Sequence, residues 1–182
     1  MIPVEDINKV MNEADCLFSD NQVQQAIDKM ATQMKNELET VNPLFIAVVS
    51  GAMIPIGHLL TKLAFPLELD YIHATRYNGE IKGSTLQWLV EPRSVIQDRT
   101  VVIVDDILDE GYTLDAIIKY CYSKGATDVK SAVLVEKDHS RGVKVDVNYT
   151  GLVVPDRYVF GYGMDYKGYL RNADGIYAVK GL

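Results

Sequence analysis

Two short apolar runs constrain this chain more than any other feature: LFIAVV at 44–49 and the VVIV of TVVIVDD at 100–106. A strand with one face in water alternates apolar and polar residues. A run without alternation is buried on both faces, as in a parallel sheet covered by helices on each side. The segments between the runs agree. Val23, Ile27, Met30, Met34 and Leu38 are spaced by four, three, four and four, which predicts a helix over 20–39 with its cap at Ser19 or Asp20 and its end at Asn42-Pro43. A helix is expected at 54–63 and a strand at 67–74. The polar, glycine-containing stretch 75–84 reads as a loop, and 85–90 as a strand that makes a hairpin-like arm with the previous one. Leu114, Ile117, Ile118 and Cys121 line one face of a helix over 113–123, stopped by Lys124-Gly125, and 128–137 is a further strand. Strand, helix, strand, helix, strand in order implies right-handed crossovers and an α/β fold with a mostly parallel central sheet flanked by helices. From about 151 to 182 the texture changes to short pieces rich in Gly and Tyr, which predicts a small extra lobe, a hood made of 151–182 together with the N-terminal segment, over a core at about 20–150.

A chain of 182 residues suits one domain and can bury a core without staples. Its formal net charge of -7 argues against non-specific nucleic-acid binding, which needs a basic face. Cys16 and Cys121 do not form a metal-ligand spacing; Cys121 falls on a helix's apolar stripe, so packing in a reducing compartment is expected. The first ten residues, MIPVEDINKV, read as neither a signal peptide nor a membrane anchor, and a cytoplasmic location is expected.

The chemistry concentrates in VVIVDDILDEGYT, 101–113. A strand feeding a Gly/Thr turn and then a helix is built to hold phosphate, yet Asp105, Asp106, Asp109 and Glu110 share phosphate's sign. The conflict dissolves if main chain does the holding. N–H groups at a helix start lack intrahelical partners and point outward, and the helix dipole adds positive charge. Gly111 permits close approach, and the Thr113 hydroxyl can donate. The acids are then available for vicinal hydroxyls or for Mg²⁺, bound directly or through water. A ligand carrying both a 5′-phosphate and a ribose diol would use both halves of the turn. The stretch is neither a GxxxxGK[ST] phosphate loop nor a GxGxxG fingerprint. The plainer alternative is an ordinary acidic strand-to-helix turn that caps a helix.

An apolar strand, two acids, two apolar residues and D-x-G-x-T resemble the phosphoribosyl diphosphate (PRPP) signature of type I phosphoribosyltransferases. LVEK at 134–137, PDRYVFGYGMDY at 155–166 and Arg171 narrow the resemblance to hypoxanthine(-guanine) phosphoribosyltransferases, over roughly 45–180. The resemblance implies the type I fold with a hood, Mg²⁺ as cofactor, PRPP and a 6-oxopurine as substrates, and a homodimer or homotetramer without nucleic-acid or membrane partners. It also implies residue roles. Asp105 and Asp106 would contact ribose hydroxyls and Mg²⁺, and Asp109 would act as acid or base near purine N7. Glu110, Gly111, Tyr112 and Thr113 would hold the 5′-phosphate. Val49, Ser50 and Gly51 would form the diphosphate loop, often with a non-proline cis peptide, and Arg171 would bind the leaving diphosphate. Lys137 would donate to the 6-oxo group, Tyr158 would stack on the base, and the Val159 main chain would read its edge. Asp165 would bind a second Mg²⁺, and Arg76 with Tyr77 would lie on a closing loop. The chain departs from the pattern at four places: V-S-G-A where L-K-G-G is frequent, Glu110 for Thr or Ser, Tyr112 for Lys, and Arg76 for Ser.

Three histidines remain. His58 reads as a core or helix-end residue, His73 shows no partner, and His139 is expected at the surface. Trp88 and the tyrosine-rich tail are candidates for a subunit interface. Two rival functions stay open: a PRPP-sensing regulator of the same fold that binds nucleic acid, and a transferase for xanthine or adenine. Retention of Asp109 and Lys137 with the negative net charge speaks against the regulator. A lysine donor favours a 6-oxo over a 6-amino base, since two donors would otherwise face each other.

Overall fold

The structure is a computed structural model that describes residues 2–76 and 86–181. Its elements in chain order are α1 (Val4–Glu13), β1 (Asp15–Phe18), α2 (Asp20–Leu38), β2 (Leu44–Val48), α3 (Met53–Leu60), β3 (Glu68–Arg76), β4 (Leu86–Val90), β5 (Thr100–Leu108), α4 (Tyr112–Ser123), β6 (Asp128–Asp138), β7 (Tyr149–Pro155), β8 (Val159–Phe160) and β9 (Ile176–Ala178).

The large sheet has the order β4-β3-β2-β5-β6-β7. Every pairing in it is parallel except β3 with β4, the hairpin-like arm expected from 67–90. The unbroken apolar runs now have their reason. Phe45 and Ala47 of β2 and Val102 and Val104 of β5 face the layer that holds α2 and α3. Leu44, Ile46, Val48, Val101 and Ile103 face the layer that holds α4. Both sides of these runs are core, so none of these positions can be polar, and the acids come only where β5 reaches the edge of the sheet. Truncating Ile103, with no exposed surface, to Ala would cost about 2–5 kcal/mol through lost burial and the cavity left behind.

Helix α2 runs as its spacing requires, with Val23, Ile27, Met30, Met34 and Leu38 all buried. Its N-cap is Ser19, whose N–H donates to the Gln22 side chain at 3.0 Å. Asp20 instead accepts the Tyr162 hydroxyl at 2.6 Å, tying the helix start to the C-terminal segment.

One boundary differs from the sequence expectation. The boundary near 151 falls inside β7, whose residues from Tyr149 onward pair with β6 in the large sheet. The crossover between them, 139–148, contains no helix, so helical periodicity gave no marker for it. A three-stranded sheet with the order β1-β9-β8 joins Asp15–Phe18 to the chain's other end, with Cys16 opposite Tyr177. Both α1 and β1 escaped the reading because they are short and expose most of their surface; α1 buries only Ile7. Cys121 is buried and Cys16 exposed, both as free thiols. Among the described residues, no helix is long and apolar enough to cross a membrane.

Candidate active site

Parallel strands bring their carboxyl ends to one edge of a sheet, and a ligand crevice forms there. At that edge lie the turn after β2, the end of β5, and the end of β6, where Leu108 pairs with Glu136.

The β5 turn supplies the first cavity, about 230 Å³, lined from Asp105 through Gly111 together with Thr113 and Leu114. Gly111 is the N-cap of α4 at φ 77°, and among the described residues no side-chain hydrogen bond caps that helix start. Gly111, Thr113 and Leu114 line the cavity, so the start of α4, where N–H groups lack intrahelical partners, forms its wall, an arrangement suited to an anion. Gly111 is required twice. Its φ is one that L side chains rarely adopt, and a Cβ there would lie 2.3 Å from the Val143 carbonyl oxygen.

Asp105 and Asp106 sit at the mouth of this cavity. Each is held by the backbone: the Asp106 N–H donates to Asp105 Oδ1 and the Ile107 N–H to Asp106 Oδ1, both at 2.9 Å. Burial, and then the charge of Asp106, push the Asp105 carboxyl well above the ordinary range. Burial also raises Asp106, against the hydrogen bond from Asp105 and the Arg171 charge, which act to lower it. A cation bound beside these two adjacent acids would favour their ionised forms.

The turn after β2 packs directly on Asp106. The Val49–Ser50 peptide is cis, as the resemblance implies. A Cβ on Gly51 would lie 2.2 Å from Asp106 Oδ2, so any side chain at 51 would displace the carboxylate. Gly163 in turn sits on the Gly51 carbonyl, with 2.1 Å to an imagined Cβ. Arg171 binds Asp165 at 2.6 Å and stands 4.0 Å from Asp106, so the C-terminal segment brings one cation to the acid pair.

A second cavity, about 220 Å³, adjoins the first and shares Asp106, Ile107 and Asp109 with it; Lys137, Tyr158, Val159, Met164 and Asp165 complete its lining. Tyr158 is 39% exposed, and its ring meets Tyr166 edge-on at 5.5 Å. Val159 lies in β8 opposite Ala178. Asp165 also accepts the Gly168 N–H at 2.6 Å. Lys137 Nζ is 2.9 Å from Asp109 Oδ2 and 3.8 Å from Asp156. Arg141 grips Asp156 through both guanidinium ends, at 2.7 and 2.8 Å. Burial acts to raise the Asp109 pKa, but hydrogen bonds from Lys137 and His139 outweigh it and hold the carboxyl below its ordinary value.

The turn, Ser50, Gly51, Lys137, Tyr158, Val159, Asp165 and Arg171 thus gather at one edge of the sheet. Arg76 ends β3, while Tyr77 and the loop to residue 84 lie outside the described residues. One expectation is corrected. His139 is not at the surface: its side chain is only 8% exposed and its Nε2 lies 2.8 Å from Asp109 Oδ1. Following Lys137 and Asp138, the residue reads in sequence as exposed, but the 139–143 segment folds back under the β5 turn, where the Val143 N–H donates to the Glu110 carbonyl at 2.8 Å. Arg141 and Asp156 were missed altogether. Asp156 stood within the quoted PDRYVFGYGMDY, but nothing in sequence tells that it faces a cation fifteen residues earlier.

Among known proteins, the model of the phosphoribosyl transferase domain matches residues 14–167. A hypoxanthine-guanine-xanthine phosphoribosyltransferase of Tritrichomonas foetus is 31% identical over 165 residues, 90% of either chain. The hypoxanthine-guanine phosphoribosyltransferase of Bacillus subtilis is 27% identical over 96% of this chain and 94% of its own. The bifunctional TilS/HprT protein of Listeria monocytogenes is 31% identical over 96% of this chain, which spans only 26% of that longer protein. A solved hypoxanthine-guanine-xanthine phosphoribosyltransferase superposes with a TM-score of 0.85 at 29% identity, covering 93% of this chain and 99% of the other. With the strand order, the acid pair at the end of β5 and these relatives together, the chain belongs to the phosphoribosyl transferase domain family, alongside its hypoxanthine-guanine phosphoribosyltransferases.

Proposed function

We propose that the chain moves the 5-phosphoribosyl group of PRPP to hypoxanthine, guanine or both, giving the nucleoside monophosphate and diphosphate. One observation carries this reading: the anion-holding cavity and the Lys137–Tyr158 cavity meet at Asp106, Ile107 and Asp109. A phosphorylated ribose in the first would point its anomeric carbon toward a base in the second.

In this reading purine N9 forms the bond to the anomeric carbon as the bond to diphosphate breaks, and the N7 proton passes to the Asp109 carboxylate. Amides of Glu110 to Thr113 and the Thr113 hydroxyl hold the 5′-phosphate. Lys137 leaves Asp109 for the 6-oxo oxygen, Tyr158 stacks on the ring, and the Val159 main chain meets its edge. Ser50 and Gly51 cradle the diphosphate through main chain, and Arg171 supplies charge to it. Arg76 and Tyr77 belong to a segment that excludes water. The residues fit Mg²⁺: Asp105 and Asp106 are adjacent acids that burial pushes toward the neutral form and a cation would favour ionised, Asp165 adds a third carboxylate, and the donors are all oxygens. Bound there, Mg²⁺ would neutralise ribose-side and diphosphate oxygens. A cytoplasmic homodimer or homotetramer completes the proposal; exposed Leu69 and Tyr71 on β3 suit a subunit contact, and light scattering tests it.

The deciding assay supplies PRPP and Mg²⁺ with hypoxanthine, guanine, xanthine or adenine and follows nucleotide formation. Turnover of a 6-oxopurine far faster than that of adenine is expected. Nucleotide binding without turnover of any base would overturn the reading.

A further inference from the structure

Asp109 carries hydrogen bonds on both oxygens, and the two sides differ in kind. Oδ2 accepts from Lys137 Nζ at 2.9 Å, a flexible side chain that the proposed reaction needs elsewhere. Oδ1 faces His139 Nε2 at 2.8 Å. The ring's other nitrogen, Nδ1, lies 3.1 Å from the Arg141 backbone N–H. A backbone N–H only donates, so Nδ1 must accept and carries no proton. The neutral ring then bears its proton on Nε2, aimed at Asp109. Its platform is backbone as well. Val143 N–H bonds the Glu110 carbonyl at 2.8 Å, and a Cβ on Gly142 would lie 2.1 Å from that same oxygen. The loop therefore has no room to drift from the turn that carries Asp109. Arg141 is the weaker partner of Oδ1: its Nη2 reaches it only at 3.5 Å, while both guanidinium ends grip Asp156 at 2.7 and 2.8 Å.

We propose that His139 is a positioning residue for the transfer: as a neutral Nε2–H donor it holds Asp109 Oδ1, so that Oδ2 stays aligned for the N7 proton when Lys137 moves onto the base. The inference rests on Asp109 being the proton acceptor. His139 takes no proton itself; the proton ends on Asp109. The charged and titratable groups around Asp109 are Lys137 from β6, His139 and Arg141 from the following loop, and Asp156 after β7. Asp106, Tyr158 and Asp165 line the same cavity, and Glu110 is adjacent in the chain. Both the Lys137 and the His139 hydrogen bonds pull Asp109 below its ordinary range, and only the second persists once Lys137 has moved.

The test compares kcat against pH for PRPP and hypoxanthine in the native protein, His139→Leu, His139→Gln and Asp109→Asn. Loss of the donor should lower kcat about tenfold and move the acid limb up by about one pH unit, the order of one hydrogen bond to a charged group. The KM for PRPP should hold. His139→Gln, whose amide N–H reaches a similar place, should restore most of both. A lowered kcat with an unmoved acid limb and no rescue by Gln would reduce His139 to packing and overturn the proposal. If Asp109→Asn itself keeps the native limb, the reading of Asp109 has failed, which is a separate result. A readout independent of activity is the ¹⁵N imidazole spectrum of the native protein, which has three histidines. Protonated Nε2 with bare Nδ1 is expected for His139, and the opposite tautomer overturns the proposal even if the variants fail to fold.

Discussion

The two cavities that meet at Asp109 are built in opposite ways. The phosphate side is one continuous stretch, 105–114, in which a strand end and a helix start place their own main chain. The base side is assembled from β5, β6, the 139–141 loop, the residues after β7 and the C-terminal segment. The first depends on local geometry and tolerates distant change. The second depends on five segments keeping their mutual distances, so each of its side chains is held by another. Phosphate is a symmetrical anion that amides recognise, whereas a purine's edges need donors placed one by one.

The comparison can be broken at its shared boundary. Removal of divalent metal should have the largest effect, taking turnover below detection in EDTA with recovery on adding Mg²⁺, because a cation beside Asp105 and Asp106 offsets the burial that raises both carboxyls. Full turnover in metal-free buffer would remove the metal from the acid pair. Asp109→Asn comes next: kcat should fall by about 10²–10⁴, the worth of a positioned acid or base, while titration with nucleoside monophosphate shows affinity nearly unchanged. Lost affinity with intact kcat would mean that side chains, not main chain, hold the phosphate.

Gly111→Ala attacks the other half. With φ at 77° and the Val143 carbonyl in the way, the turn must open; PRPP KM should rise at least tenfold, an order-of-magnitude expectation for losing one or more phosphate hydrogen bonds, with less change in kcat. Lys137→Gln sharpens the base side. The amide both donates and accepts, so hypoxanthine turnover should fall by more than adenine turnover, and equal losses would make Lys137 structural. The smallest effect is on stability. Asp109 is depressed below 3.8 in the folded chain, so its contribution is fully present above that pH and lost as pH falls through the depressed value. Asp109→Asn should therefore flatten the decline of Tm on acidification below about pH 4, by little, since the carboxylate side chain is 41% exposed and screened.

Legibility followed the same divide. VVIVDDILDEGYT was readable because its chemistry is local: burial sets the apolar run, the helix start sets the anion site, and Gly111 sets the turn. Lys137, Tyr158 and Asp165 were placed only through family resemblance, since a lysine ending a strand and a tyrosine after a turn have ordinary roles in isolation. His139 went the wrong way for the same reason. Polarity in sequence predicts solvent, but a polar loop folded under another turn finds its partners there. Helix α1 and strand β1 carried too little buried surface to show a period, and β1 finds its pairing partner in β9, some 160 residues away.

What the sequence determined by itself is the layered parallel sheet and the acid-rich turn at its edge, because two-sided burial and helix-start geometry act over a few neighbouring residues. What only the tertiary structure decided is which side chains surround Asp109. Lys137, His139, Arg141 and Asp156 are set by strand register and by the return of the 139–143 loop beneath the turn. Those distances arise from packing between segments far apart in the chain, and no local pattern of residues encodes them.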